Sequence, residues 1–258
     1  MIEVKNLTKS FDGRVVLDDI STSFKKGLVN MIIGRSGSGK TVLLKNIIGL
    51  LTPDQGEVLY GEKDLLKMRS RDIKKLRKDM GMLFQGSALF DSKTVLENVS
   101  FPLDIFSRKN KRERVKRAEF CLERVGLEHA HDLLPSEISG GMMKRVAIAR
   151  AIALNPQYLF CDEPNSGLDP KTSQLIDELI NDITKDFGMT TIVVTHDMNS
   201  IMDIGDHIIY IQEGKKEWEG SKKDIMDSDN EALNEFVFAS DLFKKVKEAE
   251  NQKEIDNV

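Results

Sequence analysis

The chain has 258 residues, 40% hydrophobic and 31% charged, enough apolar material for a buried core and enough charge to stay in water. Its 38 basic and 42 acidic side chains sum to a formal charge of −4, so the global basic field of a nucleic-acid binder is missing. Cys121 and Cys161 are too far apart for a Cys-x-x-Cys metal site and too few for a disulfide framework, which points to a reducing compartment.

The opening MIEVKNLTKS alternates apolar and polar residues and lacks the basic and apolar regions of an export signal, so it reads as a strand. Residues 1–33 are expected to form short strands with turns at Asp12–Gly13 and Lys26–Gly27. They close on LVNMII, a run suited to a strand buried on both faces. The glycine-rich GRSGSGKT follows at once, then the helical pattern VLLKNIIGLL. Lys45 breaks this most apolar stretch well short of the ~20 residues of a membrane-spanning helix, so work at a membrane would need another anchor. After a turn at Pro53–Gly56, EVLY reads as a strand. Residues 62–79 carry eight basic and four acidic side chains around Leu65, Leu66, Ile73 and Leu76, which predicts a solvated helix held by one apolar stripe, followed by the strand MGMLF.

From residue 86 the character turns helical. Thr94 and Glu97 form a capping box, Pro102 is expected to break the helix, and 108–125 is helical, with seven basic residues from Arg108 to Arg117. That run reads as a solvated face, with anionic lipid headgroups as the alternative. In 139–212, helical segments alternate with QYLFCD, TTIVVT and HIIYIQ, the pattern of a parallel sheet with crossover helices. Ten carboxylates against six lysines in 222–258 make the remainder acidic. There Leu233, Phe236, Val237, Phe243 and Val246 fall near one helical face, so one or two appended helices and a frayed end are expected.

The chemistry concentrates in a few segments. GRSGSGKT matches the phosphate-binding spacing G-x-x-x-x-G-K-[ST]: backbone N–H groups of Gly34, Arg35, Ser36, Gly37, Ser38 and Gly39, and of the first helical residues through Val42, are expected to cradle phosphates at a helix N-terminus. Lys40 is expected to reach the β and γ phosphates and Thr41 to ligate Mg²⁺. QYLFCDE places Asp162 and Glu163 at the end of a strand, where ligands bind in α/β proteins. Asp162 would hold the metal, and Glu163 would polarise the attacking water. His196 directly follows TTIVVT and is read as a γ-phosphate contact. Gln85 ends another strand, and its amide can meet water or Mg²⁺; ordinary backbone bonding is its alternative. Ser139, Gly140 and Gly141 begin a helix and form a second anion site, most economically for the nucleotide of a second copy.

Taken together, GRSGSGKT, Gln85, SGGM, QYLFCDE, SGLD and His196 resemble the ATPase subunits of ATP-binding-cassette transporters, over about residues 1–220. The resemblance implies an α/β P-loop NTPase with a RecA-like parallel sheet, an N-terminal antiparallel β subdomain and an inserted α-helical subdomain at about 86–150. Residues 221–258 are then a C-terminal helical extension. It further implies ATP and Mg²⁺ sandwiched head to tail between two copies, Asp169 at the seam and Phe11 stacked on adenine. Met142 in place of glutamine, with FQGSALFDSKTVLENV around Gln85, is similar to the bacterial phospholipid-trafficking (Mla, organic-solvent-tolerance) group. That group implies a peripheral location on the cytoplasmic face of the inner membrane, a permease of MlaE type, an MCE-domain lipid-binding protein and a small regulatory subunit. Another cargo, such as a lipoprotein or an amino acid, and a cell-division regulator of FtsE type stay open. Nucleic acid is not expected as a partner, since the long heptad insertions of coiled-coil DNA ATPases are absent.

Overall fold

The computed structural model describes residues 1–238; Phe243, Val246 and the expected frayed end lie outside them. Strands β1 (Ile2–Phe11) and β2 (Arg14–Phe24) pair around the Asp12–Gly13 turn. With β4 (Gln55–Tyr60) and β5 (Lys63–Asp64) they build an antiparallel sheet of order β2-β1-β4-β5. The second sheet contains β3 (Val29–Ile33), β6 (Met80–Leu83), β7 (Tyr158–Asp162), β8 (Thr190–Thr195), β9 (His207–Gln212) and β10 (Lys215–Gly220), in the order β10-β9-β3-β8-β7-β6. All its pairings are parallel except the edge pair β9–β10. Every residue of β3 and β8 is buried, as continuous apolar runs in a two-face-covered sheet require.

Alternation sorts this sheet's side chains into two cores. Ile32, Phe160, Ile192, Val194 and Ile209 face α1 (Lys40–Ile47) and the antiparallel sheet. Met31, Ile33, Leu159, Val193 and Tyr210 face the helical layer. Each fully buried side chain of this size contributes roughly 1.5–3 kcal/mol, so both faces are strongly specified. The helical layer contains α3 (Val95–Phe106), α4 (Lys111–Arg124), α5 (Gly140–Ile152) and α6 (Pro170–Phe187). Thr94 and Asn110 complete capping boxes at α3 and α4, and Pro170 and Gly188 bracket α6. Residues 62–79 form β5, a short 3-10 turn and α2 (Ser70–Lys78). The chain continues with α7 (Met198–Ile204), α8 (Lys222–Met226) and α9 (Glu231–Val237).

Pro102 lies inside α3 and does not end it. The ring removes one i→i−4 bond, but Val95, Val99 and Leu103 are buried on one face, and this packing carries the helix past the proline. In the expected basic run, Arg114 bonds Asp104 and the Lys109 carbonyl, and Arg117 bonds the carbonyls of Ile152 and Ala153. Two of the seven cations are therefore structural. Both cysteines are buried and free. Burial pushes the Cys121 thiol up to about 11 and raises that of Cys161 further. Among the described residues no helix is long and apolar enough to cross a membrane.

Candidate functional site

The parallel strands deliver the candidate residues to one edge, because the carboxyl ends of β3, β6, β7 and β8 all point the same way. After β3, residues 34–39 form the glycine loop and Lys40 opens α1. Gly34 (φ +150°) lies so close to β9 that a Cβ would stand 2.2 Å from the Ile211 carbonyl oxygen, and at Gly39 (φ +104°) one would meet Leu17 at 2.8 Å. Only glycine allows this close approach. No acidic residue occupies the first turn of α1 and no side chain caps it, so its N–H groups and positive dipole end are available to an anion. The Ser38 hydroxyl is buried without a hydrogen-bond partner, a further donor suited to a phosphate oxygen. A cleft of about 680 Å³ opens alongside, lined by Arg14, Val16, Arg35, Ser36, Gly37, Ser38 and Tyr210. This volume is adequate for a small ligand. Cradle, dipole and spare donor fit a polyphosphate.

Lys40 donates to the carbonyls of Gly34 at 2.8 Å and Arg35 at 3.0 Å. Burial lowers its pKa, while Glu163 and Asp162 act to raise it. Thr41 Oγ1 donates to Asp162 Oδ1 at 3.1 Å. A hydroxyl and a carboxylate are the hard oxygen donors that Mg²⁺ prefers. Glu163 adopts φ +47°, a left-handed conformation that a non-glycine residue holds only where its surroundings enforce it. Its N–H donates to the Val194 carbonyl at 2.9 Å, and its Oε1 is 2.9 Å from His196 Nδ1. Gln85 Nε2 donates to Ser166 Oγ at 3.3 Å. The expected metal and water residues therefore pair across the strand ends, Thr41 with Asp162 and Glu163 with His196, while Gln85 meets Ser166 of the loop that Glu163 begins.

Six other expected residues take no part in these contacts. Ser139 caps α5, its Oγ accepting from the Met142 N–H at 3.2 Å. Gly140 lies against Leu168 and Gly141 against Thr172. No hydrogen bond among the described residues joins this segment to the loop. Val42 lies within α1, partly buried and packed on the core below the sheet. Asp169 caps α6, accepting from the N–H and hydroxyl of Thr172; these bonds lower its pKa. Phe11 is 41% exposed with its ring 5.2 Å from Lys9 Nζ, and it does not line the cleft.

Sequence reasoning missed two cations. Buried Lys144 donates to the Gln85 carbonyl, and Arg150 donates to the carbonyls of Ser87 and Ala88 at 2.7 Å. Burial lowers the pKa of both. They moor the loop after β6, strained at Ser87 (φ +61°) and Ala88 (φ +49°), to α5. Their position one and nearly three turns into the helix that Ser139 caps was the available signal.

The chain belongs to the ABC transporter family, which it matches over residues 17–166. It has the P-loop ATPase fold of that family and is an ATPase. It is 40% identical over 237 residues to the intermembrane phospholipid transport ATP-binding protein MlaF of Haemophilus influenzae, covering 92% of this chain and 90% of that one. To the methionine import ATP-binding protein MetN of Campylobacter jejuni it is 38% identical over 258 residues, covering 94% and 77%. A dimeric structure of the ABC transporter cassette MJ0796 superposes with a TM-score of 0.78 at 37% identity, over 86% of this chain and 99% of that one. A dimeric post-hydrolysis state of the same cassette, bound to ADP and Pi, gives 0.78 at 36%.

Proposed function

We propose that this chain is the ATP-hydrolysing subunit of a phospholipid-trafficking transporter. It closes with a second copy on ATP and drives a membrane permease from the cytoplasmic face of the inner membrane. The observation behind the dimer is that Ser139–Gly141 opens a helix that, among the described residues, makes no hydrogen bond to its own glycine loop. An anion-ready helix start of that kind suits a nucleotide held by another copy, as in the dimeric cassettes the fold resembles.

In this reading Lys40 exchanges the carbonyls of Gly34 and Arg35 for the β and γ phosphates. Thr41, Asp162 and Gln85 would hold Mg²⁺. The ion, when bound, neutralises charge on the phosphate oxygens. Glu163 orients the attacking water and draws off its proton as the new O–P bond forms and the β–γ bridge bond breaks, leaving ADP and phosphate. His196 holds the Glu163 carboxylate in place and meets the γ-phosphate. Phe11 supports adenine, and Asp169 sits at the seam between copies. The loop from Gln85 to Phe90 carries the closing motion to the permease. Residues 1–220 act as the nucleotide-binding domain, with 221–258 appended.

Phospholipid as cargo is favoured by Met142 after Ser139–Gly141, by the segment around Gln85 and by the MlaF relative. Amino-acid import is favoured by the MetN relatives. Affinity purification of the tagged chain from detergent-solubilised membranes, with lipid extraction, separates the two. Recovery with an MlaE-type permease, an MCE-domain protein and bound phospholipid is expected. Recovery with an amino-acid permease and no lipid would replace the cargo while leaving the ATP chemistry intact.

A further inference from the structure

A buried polar cluster lies behind the hydrolytic pair. Asn165 comes from the loop after β7, Asp177 from α6 and Ser200 from α7. Asp177 is 2% exposed, Ser200 is fully buried and Asn165 is 9% exposed. Asn165 Nδ2 stands 2.9 Å from both carboxylate oxygens of Asp177 and 2.9 Å from Ser200 Oγ, which donates to Asp177 Oδ2 at 2.7 Å. Burial raises the Asp177 carboxyl to about 6 against the opposing hydrogen bonds from Ser200 and Asn165; the charges acting on it, Asp197 and Asp203 at the start and in the body of α7, share its sign. A carboxylate buried with neutral donors alone is a costly way to fill a core that apolar side chains would fill at least as stably.

Its placement gives the cost a use. Asn165 follows the strained Glu163 by two residues, and Ser200 follows His196 by four. Between Glu163 and Leu168 the backbone is turned tightly, with Ser166 N–H donating to the Glu163 carbonyl and Leu168 N–H to that of Asn165. A left-handed glutamate needs such over-determination, and a carboxylate that grips both Asn165 and Ser200 ties the Glu163 segment to the helix behind His196. We propose that Asp177 is a positioning residue for hydrolysis, holding Glu163 and His196, through Asn165 and Ser200, in the register that brings carboxylate and imidazole within 2.9 Å. This rests on the assignment of Glu163 and His196 as the hydrolytic pair.

The test uses the full chain and three variants, Asp177→Leu, Asp177→Asn and Ser200→Ala, with steady-state ATP hydrolysis, KM and thermal unfolding measured for each. Asp177→Leu is expected to lower kcat about tenfold or more with KM within about twofold, since misplacement of catalytic groups costs rate and not ground-state binding. Asp177→Asn is expected to recover most of that loss. Its amide oxygen can still accept from Ser200, and a turn of the Asn165 amide would present that side chain's Oδ1, now buried without a partner, to the new NH2 group. Ser200→Ala, which deletes one hydroxyl, is expected to lower kcat about threefold at unchanged KM, and it decides the matter should the leucine variant not fold. Wild-type kcat in folded Ser200→Ala, or in folded Asp177→Leu, overturns the proposal, as does a fall in kcat matched by a rise in KM. Glu163→Gln assayed alongside keeps the two failures distinct: brisk turnover there removes the hydrolytic assignment whatever Asp177 does.

Discussion

Lys40 illustrates how single groups are set for their work. Its ammonium is held by two loop carbonyls and acted on by Asp162 and Glu163, so it is already aimed at the loop's centre with little rotamer freedom left to lose. Lys40→Ala is expected to weaken ATP binding at least tenfold, measured by equilibrium titration with a fluorescent nucleotide. Glu163→Gln keeps the size of the side chain and a hydrogen-bonding group for His196 but cannot take up a proton. It is expected to bind ATP within about threefold of wild type and to hydrolyse it 10²- to 10³-fold more slowly, the range for loss of a general base, measured by phosphate release. Asp162, Glu163, Lys40 and His196 were legible in the sequence because each sits at a fixed offset from an apolar run that ends at the same sheet edge. Asn165 was not legible, since its partners lie 12 and 35 residues away and only the fold brings them together.

Among the elements, β10 joins the two sheets through Lys215, paired with Asp18 of β2, and through Glu219. Glu219 accepts from Thr22 of β2, His207 of β9 and Lys216 of its own strand. Burial pushes its carboxyl up, but these bonds and the Lys216 charge outweigh burial and hold it at about 2, against an ordinary 4.5. A carboxyl lowered on folding adds stability that is complete above pH 4.5 and disappears as pH falls toward 2. Glu219→Gln is therefore expected to be less stable than wild type by ~1 kcal/mol at neutral pH, after allowance for solvent screening. The gap should close between pH 4.5 and 2 in urea denaturation. The strands of the parallel sheet other than the edge strand β10, and the capping box of α3, were readable from local pattern, whereas the Asn110–Glu113 box of α4, β5 and β10 were not read. The mooring of the Gln85 loop was not, because Lys144 and Arg150 bond backbone carbonyls, which have no residue identity to read. Pro102 misled for a related reason: proline's local preference was outvoted by a buried face that periodicity alone does not weigh.

For the molecule as a whole, the glycine loop and the Ser139 segment share no hydrogen bond among the described residues, and the proposed dimer would make them complementary halves of one site. Ser139→Arg is expected to leave single-chain nucleotide binding within about twofold while reducing hydrolysis more than 100-fold, because a bulky cation at that helix start blocks approach of the second copy. Light scattering with ATP and Glu163→Gln in the background would show a dimer that the added arginine abolishes. Retained hydrolysis in Ser139→Arg would place the whole reaction within one chain. Such motions are open to direct observation because of where the sulfur lies. Cys121 and Cys161 are sealed in the core with thiols held protonated, so neither presents the thiolate that alkylating dyes and spin labels attack. A single cysteine introduced on the surface becomes the chain's one readily labelled site in the folded state, with no need to strip the native pair and disturb the packing around them.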